Sequence, residues 1–167
     1  MSHPQSVPLP HPHGEMRRDE REITDPAIID DLLQASRVMY IAVSQDNIPF
    51  MVPVFYVWDG KSLYFHSARS GSKIRILQQN NAICFAISQF DGVIEDALAC
   101  DFEARHRTVI GFGQAHFVQD AAEKVAVLHQ LMARFSDKTF TFPEANLRAT
   151  QVIRIDIASI KGKQHGF

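Results

Sequence analysis

The sequence is poor in several residue types, and each shortage narrows the possibilities. Two cysteines, Cys84 and Cys100, are too few for a disulfide framework or a zinc box. No apolar run approaches the roughly 20 residues needed to span a bilayer. The opening MSHPQSVPLPHPHGE has neither the basic nor the apolar region of a secretory signal. These shortages point to a soluble protein of a reducing, cytoplasmic compartment with no membrane partner. Basic excess is missing too: the net charge is −2 and the pI about 6.4, which argues against a nucleic-acid partner. Also missing is a Gly-x-Gly-x-x-Gly run between strand and helix. Gly111-Phe112-Gly113 sits in mid-strand with no helix after it, so a Rossmann dinucleotide site is not expected.

What is present is a real core. Of 167 residues, 46% are hydrophobic, enough for one domain spanning residues 16–167. Residues 1–15, rich in Pro and His, are expected to form a disordered tail. His3, His11 and His13 are separated by other residues, prolines among them, and give no fixed coordination sphere. No metal site is expected.

Thr24 or Asp25 as cap before Pro26, then Ile28, Ile29, Leu32 and Leu33 at helical spacing, predict a helix ending near Ser36. Strands follow over 38–44 and 50–58, joined by Gln45-Asp46-Asn47. Asp59-Gly60 signals a hairpin into a third strand over 62–67. A short helix is predicted over 74–79 and a strand over 83–88. Residues 89–104 lack periodicity and carry Asp91, Glu95, Asp96, Asp101 and Glu103, and are expected to form a long acidic connection. A long strand over 105–119, a helix capped by Asp120 and a strand over 151–157 complete the chain. This order is not a βαβ alternation. It suggests a mainly antiparallel barrel with two or three helices packed outside.

The most informative stretch is 62–80, SLYFHSARSGSKIRILQQN. Strand gives way to helix at Ser70-Gly71-Ser72, followed by Lys73. First-turn N–H groups, two hydroxyls and a cation suit a phosphate dianion. An N-capped helix with a solvated lysine would look the same. Elsewhere the strand over 50–58 is apolar on both faces, so something covers the outside of the barrel. Val109, Gly111 and Gly113 share one face of their strand, where missing side chains allow a backbone or a flat ligand to approach. A flat phosphorylated cofactor and a dimer interface both fit these features.

DGKSLYFHSARSGSK together with RHRTVIGFGQAHFV and the closing Ile160-Lys161-Gly162-Lys163 resembles the 5-nitroimidazole-resistance (Nim-type) branch of the pyridoxamine 5′-phosphate oxidase-like flavoproteins. The resemblance runs from about residue 16 to 163. It implies a six-stranded antiparallel split β-barrel with flanking helices, a homodimer, and one FMN per subunit at the dimer interface. Carried over by position, Val52, Pro53 and Val54 would line the isoalloxazine. Phe65, His66 and Ser67 would run under the ribityl chain or ring, and Ser72 and Lys73 would take the phosphate. Arg107, Thr108 and Val109 would come from the matching strand. Where many relatives carry Tyr-Arg-Ser or Tyr-x-Ser, this chain has His106-Arg107-Thr108, which keeps a hydroxyl and loses the tyrosine ring.

His66 is the candidate catalytic residue, an imidazole that orients substrate or supplies a proton near the flavin; a hydrogen-bonded histidine at an interface is its structural counterpart. Cys84 reads as inert core, and Arg69 as exposed. The implied activity is FMN-dependent reduction of a small acceptor, possible substrates including nitroaromatics such as a 5-nitroimidazole. A non-catalytic flavin carrier or sensor is an alternative, and so is a haem protein with His66 or His106 as axial ligand.

Overall fold

The structure, a computed structural model, describes residues 14–167. The expected tail therefore lies outside the described residues except for Gly14 and Glu15, and His3, His11 and His13 lie outside altogether.

Strand β1 (Glu22–Ile23) leads into helix α1 (Pro26–Ala35). The Asp25 carboxylate accepts the Ala27 N–H and Pro26 opens the first turn, as the sequence predicts. Strands β2 (Val38–Gln45) and β3 (Ile48–Trp58) form a hairpin. Its two turn residues, Asp46 and Asn47, have φ of 53° and 62°, the left-handed pair that matches strand twist. Then come β4 (Ser62–Ala68), α2 (Ser72–Gln79), β5 (Ala82–Ile94), β6 (Glu103–Phe117), α3 (Ala121–Ala133), α4 (Glu144–Ala149) and β7 (Thr150–His165). The seven strands run in the order β1-β7-β4-β3-β2-β5-β6, and β6 also pairs with β7. That last pairing closes β2 to β7 into a ring of six antiparallel strands, with β1 added on β7.

Inward residues fill the ring. Met39, Ile41, Leu63, Phe65, Phe85, Ile87, Val109, Ile153 and Ile155 are each at most 1% exposed. Tyr56 joins them and spends its hydroxyl on the Leu33 carbonyl at 2.7 Å, so α1 is tied to the barrel and a buried O–H is satisfied. A second, smaller core lies outside the ring: Tyr64 and Val152, facing outward, pack with Val118, Val127 and Leu128 beneath α3.

Two expectations are corrected. Half of the long acidic connection over 89–104 is strand: β5 and β6 run on as a hairpin arm to Ile94 and from Glu103, leaving residues 95–102 as the loop. Exposed Phe90 and Val93 give this arm no buried face, and a bulge between Phe90 and Val93 shifts the alternation. The last strand is longer than residues 151–157, reaching His165 across a second irregularity opposite Phe112 and Gly113. Of the two occupants left open for the glycine face, a backbone or a flat ligand, the chain's own backbone stands at Gly113, and a core side chain fills the space at Gly111. A Cβ at Gly111 would stand 2.2 Å from the Phe85 ring, and one at Gly113 2.3 Å from the Asp156 carbonyl oxygen. The space belongs to the chain's own side chain and backbone.

Candidate functional site

Strands β3 and β4 pair only at Tyr56–Phe65, Val57–Tyr64 and Trp58–Leu63. Continuing that register would set Val54 opposite Ser67 and Pro53 opposite Ala68, yet pairing stops. The ring is split there, between two of the sequence-predicted groups, Val52–Val54 and Phe65–Ser67. Within the first group Val54 is buried, Val52 is half-buried against the core and Pro53 points out. Within the second, Phe65 is buried core, Ser67 is half-buried and His66 faces outward. Phe65 can therefore meet a ligand only through its backbone or ring edge.

The chain leaves β4 through Arg69, Ser70 and Gly71 and enters α2. Gly71 has φ of 113°, a conformation open to glycine and strained for other residues. No described side chain caps this helix end, so N–H groups of its first turn are left for another acceptor. Lys73 stands over the Phe65 ring, its Nζ 5.6 Å from the centroid. Burial lowers the Lys73 ammonium from its usual pKa. His66, one strand-end away, is lowered from its usual 6.5 by burial and then by the positive charge of Lys73. His66 lines a cavity of about 220 Å³ with Leu128, Leu131, Met132 and Phe142, between α3 and the segment leading to α4. His66, Ser72 and Lys73 are thus brought together at the split end of the barrel.

Arg107, Thr108 and Val109 are not. They lie on β6, separated from β3 by β2 and β5 in the ring. Val109 is fully buried core. Arg107 donates to Gln164 Oε1 at 3.1 Å and lies over the Phe167 ring, and Thr108 shares a hydrogen bond with Ser88. Thr108 also lines a second cavity, of about 450 Å³, with His106, Ile110, Lys161 and Lys163. There His106 is lowered from its usual pKa by burial and then by Lys163, His165 and Arg21. Sequence reasoning did not foresee this cavity. The spacing of Lys161 and Lys163, two apart on one strand face, was the available signal.

The outer face carries an apolar row. Tyr40 pairs with Pro53 on one side and Ala86 on the other, and Ala86 pairs with Ile110. Tyr40 is 50% exposed, Ile110 42%, and on β3 Met51 65% and Phe55 50%. Cys84, expected in the core, alternates with buried Ile83 and Phe85 and is partly exposed, and burial pushes its thiol up from its usual pKa. Arg69 is exposed and donates to the Arg148 carbonyl. Among the described residues no helix is long and apolar enough to cross a membrane.

No curated protein matches the sequence significantly. Solved structures do share its fold. A protein of Bacteroides thetaiotaomicron VPI-5482, provisionally assigned to 5-nitroimidazole antibiotic resistance, superposes with a TM-score of 0.77 at 23% identity, covering 85% of each chain. The flavocytochrome Anf3 of Azotobacter vinelandii gives 0.83 at 22% identity, over 92% of this chain and 73% of that one. An FAD- and haem-binding protein of Mycobacterium smegmatis gives 0.79 at 19%, over 88% and 74%. At such identities the likeness is one of fold. The sequence itself matches the pyridoxamine 5′-phosphate oxidase profile over residues 25–164, and with most of its length so matched and its six strands closed in a split ring, the chain belongs to that family.

Proposed function

We propose that the protein is an FMN-dependent oxidoreductase that acts as a homodimer and reduces a small acceptor, nitroaromatics such as a 5-nitroimidazole being the first class to test. The observation that carries this reading is the uncapped N-terminus of α2 with the desolvated Lys73 beside it. Free N–H groups, the Ser72 hydroxyl and a cation fit a phosphate dianion. Ser72 and Lys73 would hold that phosphate, and the two banks of the split, at Val52–Val54 and Phe65–Ser67, would flank the rest of the cofactor. When bound, the flavin supplies hydride chemistry that no side chain of this protein can perform. The protein's own part is to position, desolvate and manage protons. A neutral His66 can take up or hand on a proton at a ring nitrogen near neutral pH.

The exposed row Pro53–Tyr40–Ala86–Ile110 and its neighbours Met51 and Phe55 support a homodimer, since broad apolar patches mark interaction surfaces. A second copy on this face would bring its Arg107 and Thr108 toward the first copy's split. The test is anaerobic reduction of the flavin-loaded protein followed by addition of nitroaromatic, quinone or oxygen acceptors. Acceptor-dependent reoxidation is expected. Flavin that stays reduced with every acceptor would leave a carrier or sensor.

A second reading, haem binding, is favoured by one observation: His106 stands in the 450 Å³ cavity beside two lysines suited to carboxylates. Two of the fold relatives are described as haem proteins. Haem titration of the wild type and of His106→Ala and His66→Ala separates the readings, a Soret band abolished by one substitution supporting it and no spectral change removing it.

A further inference from the structure

A third cavity, of about 350 Å³, lies between α3 and α4. Three cations line it: Arg69 from the β4–α2 connection, Lys124 from α3 and Arg148 from α4. The carboxylate of Glu144 is the one acid on its wall, and it is engaged by Arg148. Arg69 spends one N–H on the Arg148 carbonyl, and the Lys124 ammonium bonds the Leu147 carbonyl. These bonds anchor the last turn of α4. They leave most of the five guanidinium donors and three ammonium donors unspent. The charge is undercompensated: burial and then the positive charge of Arg69 lower the Lys124 ammonium. Below the cations Val118, Val125 and Leu147 form an apolar floor.

We propose that this cavity is a nucleotide site, in which Arg69, Lys124 and Arg148 hold a phosphate or pyrophosphate and the apolar floor takes a base. Planar fork geometry suits the two arginines to phosphate oxygens, and the size is at the small end of pockets that bury such ligands. A macromolecular polyanion is a poor fit, because the cations converge in a concavity between two helices and not along a stripe. One of its cations, Arg69, is close in the chain to the phosphate cradle proposed above. Arg69 and Ser72 are three residues apart, so their Cα atoms are within about 11 Å even on a fully extended chain. A pyrophosphate could bridge the two. Two sources of that phosphate are separated by the test below, a free nucleotide and the second half of a flavin dinucleotide, and only the latter rests on the flavin reading above.

The test uses the full chain, titrated calorimetrically with ADP and by fluorescence with FMN and FAD. Arg148→Gln is the informative variant: its side chain is exposed and ties only to Glu144, so folding should survive, whereas Lys124→Gln removes an anchor of α4. For a free-nucleotide site, ADP binds the wild type, and Arg148→Gln weakens it about tenfold with unchanged melting temperature. For a dinucleotide site, FAD binds at least tenfold more tightly than FMN, and the variant brings the two to parity. The proposal is overturned if ADP does not bind and FAD has no advantage, or if the variant matches the wild type for both. Loss of FMN and FAD binding with ADP binding intact would overturn the flavin reading and leave this site standing.

Discussion

The Lys73 ammonium lies 5.6 Å from the centre of the Phe65 ring, although that ring is only 1% exposed and belongs to the barrel core. A core aromatic thus steers a charged side chain from the first turn of α2 toward the split. Burial lowers the pKa of this ammonium, so part of its hydration is already given up before an anion binds. Lys73→Gln should therefore weaken FMN by about 1.5–3 kcal/mol, the value of a charge-assisted hydrogen bond. Fluorescence titration reads the change, and circular dichroism should show an intact fold. Unchanged affinity would place the phosphate elsewhere.

The same lysine acts on His66. With its folded pKa below the usual 6.5, the unfolded chain binds the proton more readily than the folded one. Stability from this site is therefore fully present above about pH 6.5 and falls as the pH drops through the folded-state pKa. Melting curves of flavin-free wild type and His66→Asn should run parallel above that pH and converge, or cross, below it. His106 is displaced in the same direction, but it is common to both proteins and drops out of the difference. Parallel curves down to pH 5 would contradict the account.

Gly111 is fixed by packing. Its missing Cβ makes room for the Phe85 ring, which would otherwise be met at 2.2 Å. Gly111→Ala should cost about 1–3 kcal/mol in urea unfolding, as overpacked cores do. Adding Phe85→Leu should return part of that loss, a coupling expected only of residues in contact. Independent, additive effects would show that the ring does not fill the space.

The outer row predicts an oligomer that charge disrupts. Ile110→Lys, on a residue 42% exposed, should convert a dimer to a monomer by light scattering without unfolding it. Burying an unpaired ammonium in an apolar interface is expensive. A wild-type monomer that still fills with FMN would remove the interface from the site.

Most of the barrel was legible because its strands obey simple rules. Asp25-Pro26, Asp46-Asn47, Asp59-Gly60 and Asp120 punctuate the chain with capping and turn chemistry, and the alternation in Leu63–Phe65 and Ile153–Ile155 declares an inner face. The hairpin arm beyond Ser88 was not legible, because a strand without a buried face carries no period. Helix α4 was also unseen: six residues after Pro143 are too few to establish a 3.6-residue repeat. The glycine pair left its occupant open for a different reason. Its periodicity gave the correct shared face, but sequence does not say which neighbour, Phe85 or a ligand, occupies the space a glycine leaves. Within the site, Ser72-Lys73 and His66 were visible as a strand-to-helix junction. That Arg107–Val109 lie one strand beyond β7 from β4, and far along it, Arg107 pairing with Gln164 where His66 pairs with Val152, depends on strand order and register, which local pattern does not encode.

The central claim is that the split end of this barrel holds a flavin. The most direct measurement is the absorption spectrum of the purified protein, before and after incubation with FMN and gel filtration. The account predicts a yellow protein, as isolated or after loading, whose released chromophore has the mass of FMN and whose retention is weakened by Lys73→Gln. A colourless protein that emerges from the column without FMN would contradict it.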